Sequence, residues 1–250
     1  MTPPGAGRPT VAGPPLSRAL HARMVLVRPA LDAASRALWA PRGLRERYPV
    51  YLTVMHQLVR ASVPLLRHGA RRCAEGAPDD PVLAPLACYL LAHAREELGH
   101  DAWLLEDLAA LGEDPARAAA AQPLPAVAEL AGAQYYWIEH HHPVALLGYV
   151  WALEHNAPAG WLAPRLAATA GLPPAALRTV HAHAALDAGH TADLEAVLDT
   201  LPLTPAQATA VTVGALHTLR SLVRLFAHLA DPVGPAPDRR TAPLSRGGTP

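Results

Sequence analysis

The chain has 250 residues, and its 21 basic side chains, all arginine, balance 21 acidic ones to a net charge of zero. That balance argues against nucleic acid as a partner, because phosphate binding wants a basic surplus, and against an anionic membrane surface. A chain of this length can bury one sizeable core.

Residues 1–16 and 231–250 hold ten of the 27 prolines. Such a composition cannot build a core, so both tails are expected to be disordered, leaving one folded domain over 17–230. Within the domain the apolar period is helical throughout. Residues 17–40 repeat at helix spacing, with Pro29 expected to break or kink the run. A long amphipathic helix follows over 46–72. Asp79-Asp80-Pro81 opens a helix expected to run to Leu111, where Gly112 stops it. Asp114-Pro115 starts a short alanine-rich helix, and 125–141 forms the next. His142-Pro143 interrupts the chain before a helix reaching about His155, and a short helix covers about 159–170. Pro173-Pro174 opens a long helix ending near Leu201, and Thr204-Pro205 starts a last one to about Ala230. No segment alternates with period 2 between turn signals, so the expected class is all-α. Cys73 and Cys88 make no CxxC pair and suit a reducing compartment. No apolar run reaches transmembrane length and the N-terminus lacks signal-peptide character, so the expectation is a soluble cytoplasmic protein.

Chemistry concentrates in three places. In the helix after Pro173-Pro174, His183, Asp187 and His190 stand at i, i+4 and i+7, within about 60° of arc. In the helix after Pro81, Glu97 and His100 form a Glu-x-x-His, a spacing that helical bundles use for di-iron and di-manganese centres. A single match of this kind is as readily a solvated charged face. Glu154 is the one carboxylate in a dozen nearly all apolar residues, where an unpaired charge is costly to bury. A metal or an arginine would remove that cost, as would a helix end pointing to water. Together these are three carboxylates and three imidazoles. Oxygen and nitrogen donors without thiolate suit iron or manganese, and six ligands serve two ions when a carboxylate bridges. A closed structural zinc site needs only four. The ferritin-like arrangement does not fit. It requires a further lone Glu on the helix at 46–72, which has none after Glu46, and it leaves His183 unexplained.

Three blocks, HAREELGHDAWLLEDLAAL from His93, HPVALLGYVWALE from His142 and HAALDAGH from His183, resemble the haem-oxygenase-like di-iron oxidases and oxygenases. The weaker stretch YLTVMHQLVRASVPLL from Tyr51 is also similar. The resemblance implies a seven-helix haem-oxygenase-like bundle, often a homodimer. It makes Glu97, His100, Glu154, His183, Asp187 and His190 the ligand and catalytic positions. Members differ in the spacing of Glu and His on the first ligand helix, so His93 is a further candidate there. The implied cofactor is two Fe(II) ions per chain, with an iron–manganese pair compatible with the same donors, and dioxygen is the co-substrate. The implied partner is a small amine, amino acid or fatty acid, often in natural-product biosynthesis. Such sites are usually labile, the last-helix ligands ordering when iron binds. Gly189 suits that behaviour, since glycine weakens a helix interior by about 1 kcal/mol relative to alanine.

The alternative is a thiaminase-like or cofactor-free member of the same fold, which needs an activated cysteine in the pocket. Neither Cys73 nor Cys88 has an obvious activating neighbour, and that reading leaves the His183 stripe idle. His140-His141-His142 reads as an exposed helix end. His155, about 100° from Glu154 around the helix, reads as a supporting or surface residue. His21 resembles in position the proximal histidine of true haem oxygenases, but the pattern around it differs.

Overall fold

The computed structural model describes residues 14–231. The expected disordered tails lie almost wholly outside the described residues. Among those residues every regular element is helical. They are α1 (Leu16–Leu38), α2 (Leu44–Ala74), α3 (Leu83–Glu96), α4 (His100–Ala110), α5 (Pro115–Ala120), α6 (Pro125–His140), α7 (Leu146–Glu154), α8 (Leu162–Ala170), α9 (Arg178–Thr200) and α10 (Pro205–Ala230). Short 3-10 turns precede α7 and α9. No helix among the described residues is long and apolar enough to cross a membrane.

Ten helices exceed the seven of the resemblance for two reasons. The helices α5 and α8 are short connectors, and the stretch expected as one helix over 81–111 is broken in the middle. Glu97, Leu98 and Gly99 form a turn, with Gly99 at φ 93, a left-handed value that glycine adopts without steric cost. Pro29, by contrast, does not end α1. Its missing N–H leaves the carbonyl one turn earlier without a helical partner, but Val25 and Leu26 are 68% and 82% exposed, so water reaches that face. Start signals hold elsewhere. Thr204 and Gln207 form a capping box at α10, with Pro205 in the first turn. Asp114 accepts the Ala116 N–H at the start of α5.

The core is one cluster drawn from nearly every helix. The helix α2 packs on α3, α4 and α6, while α10 packs on α1, α6 and α7. The helix α7 is apolar all round, and Leu146 through Ala152 are all buried, as a helix enclosed on every side must be. Its seat on α10 is a backbone-to-backbone contact. A Cβ on Gly148 would meet the Val211 carbonyl oxygen at 2.1 Å, and one on Gly214 would meet that of Ala145 at 2.6 Å. The helix α9 closes the bundle against α1, α4 and α7, and it runs without a break through Gly189.

Candidate metal centre

The break at Gly99 decides where the first carboxylate goes. Glu97 caps the C-terminal end of α3 and His100 begins α4, yet the turn still brings Glu97 Oε2 to 3.3 Å from His100 Nδ1. His93, one turn before Glu97 on α3, is buried. Its Nε2 lies 3.4 Å from Glu154 Oε1, at the end of α7. From α9, His190 Nδ1 lies 3.4 Å from Glu154 Oε2 and 3.9 Å from Glu97 Oε1.

Two groups of donors result. One is His93, Glu97, Glu154 and His190, and the other is Glu97, His100 and His183. Glu97 belongs to both. The groups are edge-on pairs of rings, with 5.2 Å between the centroids of His93 and His190 and 5.2 Å between those of His100 and His183. Five of the six residues singled out in the sequence thus meet, joined by His93. The side chain of Asp187 lies outside the described residues.

Separations of 3.3–3.9 Å are too long for good hydrogen bonds. Glu154 Oε2, His190 Nδ1 and His100 Nδ1 are buried and make none. Each such atom costs roughly 1–3 kcal/mol, and a cation in each group would satisfy all three. The donor set is oxygen and nitrogen only, which suits iron or manganese. The residues therefore fit a pair of ions that shares Glu97.

Electrostatics in the absence of an ion follow the same contacts. Burial pushes the Glu154 carboxyl up, but His190 and His93 outweigh it and bring it down to about 2. Glu154 in turn raises His190 to about 9, against burial. Burial opposes ionisation of His93 and Glu97 too. Even so His93 is raised by Glu154 and Glu97, and Glu97 is lowered by His100 and His93.

Supporting contacts orient the ligands. His183 Nδ1 donates to the Thr179 carbonyl at 3.0 Å, which leaves Nε2 as the free donor of that ring. The start of α9 is itself clamped to α4. Asp107, fully buried, accepts the Thr179 N–H at 3.0 Å, and Arg178 pairs with Glu106. Burial pushes the Asp107 carboxyl up, against the bonds from Thr179. Asp107 was not picked out in the sequence. Its signal is there, however, because it stands two turns beyond His100 on the same helix face.

A cavity of about 340 Å³ opens beside the two groups. His93, Glu97, Glu154 and His183 line it together with apolar side chains, among them Leu58, Leu104, Leu153 and Phe226, and with the exposed Arg28 and half-buried Asp32 of α1. Neither cysteine reaches it. Cys73 is buried, which pushes its thiol up to about 12, and Cys88 is exposed.

A family model described as iron-containing redox enzyme matches residues 81–222, a span that includes every residue of both groups. No curated protein matches the chain. Among solved structures, a domain of unknown function with a heme oxygenase-like fold from Shewanella denitrificans is 19% identical, over 88% of this chain and 93% of that one, with a TM-score of 0.72. A TenA homolog from Pseudomonas syringae pv. tomato is 11% identical, over 88% of this chain and 97% of that one, with a TM-score of 0.61. Identities this low establish the fold alone, an all-α heme oxygenase-like one.

Proposed function

Because the chain belongs to the iron-containing redox enzyme family, we propose that it is a non-haem di-iron oxygenase or oxidase. It would use dioxygen to oxidise a small amine, amino acid or fatty-acid-type substrate. The observation that carries this reading is the carboxylate of Glu97, common to two donor groups whose other members come from α3, α4, α7 and α9. His93, Glu97, Glu154 and His190 would hold one ion, and Glu97, His100 and His183 the other, with Asp187 added by resemblance. Two ferrous ions supply the electrons and the open coordination positions that dioxygen activation needs.

The protein's own groups do the rest. The carboxylates of Glu97 and Glu154 offset the charge of two cations in a buried site. Thr179 fixes the tautomer of His183. The apolar wall of the cavity keeps water from the centre and holds the hydrocarbon part of a substrate, at a volume typical of small-molecule sites. A thiaminase-like reaction has less support, despite the fold shared with the TenA homolog, because no thiol lines the cavity.

An anaerobic ferrous titration tests the proposal. Two ions per chain are expected, followed by dioxygen consumption in the presence of a substrate. Glu154→Ala and His183→Ala should each bind about one iron fewer and lose dioxygen uptake while keeping their helical circular dichroism. Absence of iron binding, or binding unchanged in both variants, would overturn it.

A further inference from the structure

One residue along from Glu154, a second convergence of donors is absorbed by nothing above. His21 of α1, His155 at the end of α7 and Glu195 of α9 bring their ligand atoms within 4.8 Å of one another. His21 Nε2 and His155 Nε2 both approach Glu195 Oε1, at 2.7 and 2.9 Å. The sequence suggested a supporting or surface role for His155. It is not a surface residue: its side chain is 6% exposed, and its ring stacks on Trp151 at 4.2 Å between centroids.

The tautomer of His155 is informative. Its Nδ1 lies 2.9 Å from the Trp151 carbonyl oxygen, which can only accept, so Nδ1 carries the proton. In the neutral ring Nε2 then presents a lone pair to a carboxylate oxygen 2.9 Å away. Two lone pairs at that distance repel unless a proton or a metal cation lies between them. A ring nitrogen bonded to a backbone carbonyl, with the other nitrogen free, is also how proteins orient a metal-binding histidine. Donors on bonds of about 2.1 Å at tetrahedral angles lie about 3.4 Å apart, so the side chains would part by about half an ångström from their 2.7 and 2.9 Å contacts to seat an ion. Glu195 and His21 remain 33% and 45% exposed, so water or another ligand can complete the shell.

We propose that His21, His155 and Glu195 form a separate, mononuclear site for a divalent transition ion of the zinc class, bracing α1, α7 and α9 where they meet. Two imidazoles and a carboxylate suit such an ion. One further turn along α9, Asp199 accepts from the Ser17 N–H and hydroxyl of α1 at 2.9 and 2.6 Å, so the ion would strengthen a seam that already exists. None of the three residues belongs to the groups around Glu97, so the site stands or falls independently of the proposed function.

The test uses the full chain, stripped with chelator and loaded with Zn2+ or Co2+. Anomalous diffraction from Co2+-loaded crystals should show a peak bounded by His21, His155 and Glu195, and that peak should persist in Glu97→Ala. His21→Ala and Glu195→Gln should each bind one equivalent of Zn2+ fewer than the unaltered chain. Both positions are partly exposed, and Glu195→Gln keeps shape and volume, so it decides the matter if His21→Ala folds poorly. Metal-loaded crystals without that peak, or equal Zn2+ stoichiometry in the variants, would overturn the proposal and leave a carboxylate hydrogen-bonded by two histidines.

Discussion

At the scale of single residues, the centre turns on Glu97. Every other donor belongs to one group, and Glu97 belongs to both. Under the di-iron reading, His100→Ala removes a donor from one ion alone, whereas Glu97→Ala removes one from each. Iron retained after gel filtration should therefore fall from about two equivalents to about one in His100→Ala, and below one in Glu97→Ala. Equal losses in the two variants would contradict a shared carboxylate. Much of this was legible in the sequence. Glu97 and His100 stand out by their Glu-x-x-His spacing, and Glu154, His183 and His190 as metal-capable residues in apolar or alanine-rich helical settings. The place of His93 is less legible, because its tie is to Glu154, 61 positions away, and no local period reports that distance. The pairing of His155 with Glu195 is hidden for the same reason.

At the scale of elements, the join between α4 and α9 sets how His100 faces His183. Asp107 makes that join through the Thr179 N–H, and Thr179 holds His183. Asp107→Ala should weaken iron binding by about 10–100-fold, as expected for loss of a group that orients a ligand, and lower stability by about 1–2 kcal/mol through the lost cap. Asp107→Asn keeps an acceptor for Thr179 and should recover most of both, as ferrous titration and urea unfolding would show. The helix α9 carries a glycine beside His190, and a Cβ there would meet nothing within 4 Å. Backbone amides of residues 183–190 should accordingly exchange hydrogen faster without iron than with it, by an order of magnitude or more in mass-spectrometric exchange. Helix starts were easy to foresee because Asp114-Pro115 and Thr204-Pro205 are local signals. The break at Gly99 was not, since a glycine within a continuous apolar period is equally compatible with an unbroken helix. Pro29, expected to break or kink the run, does not break it. Proline interrupts a helix only where the freed carbonyl lacks a partner, and the exposure of its surroundings cannot be read from one strand of sequence.

At the scale of the whole molecule, the loops are tied down by polar networks away from the cavity. Asp80, ahead of α3, accepts the Val82 N–H and approaches His142 Nε2 and Gln207 Nε2, so one carboxylate joins the starts of α3, α7 and α10. His142 Nδ1 accepts from Val144, which assigns the proton to Nε2 and makes it the donor to Asp80. Burial raises the Asp80 carboxyl, but the bonds from Val82, His142 and Gln207 leave it below its ordinary value. A carboxylate held low in the folded state stabilises above its unfolded value, near 3.8, and that contribution is lost as pH falls through the folded value. Asp80→Asn should cost about 1–2 kcal/mol at pH 7, and urea melts should show the gap to the unaltered chain closing below about pH 4. The Gly148–Gly214 contact has a different consequence for the same architecture. Two backbones that touch without intervening side chains cannot slide past each other, so α7 is the stator of the machine and Glu154 is a fixed post.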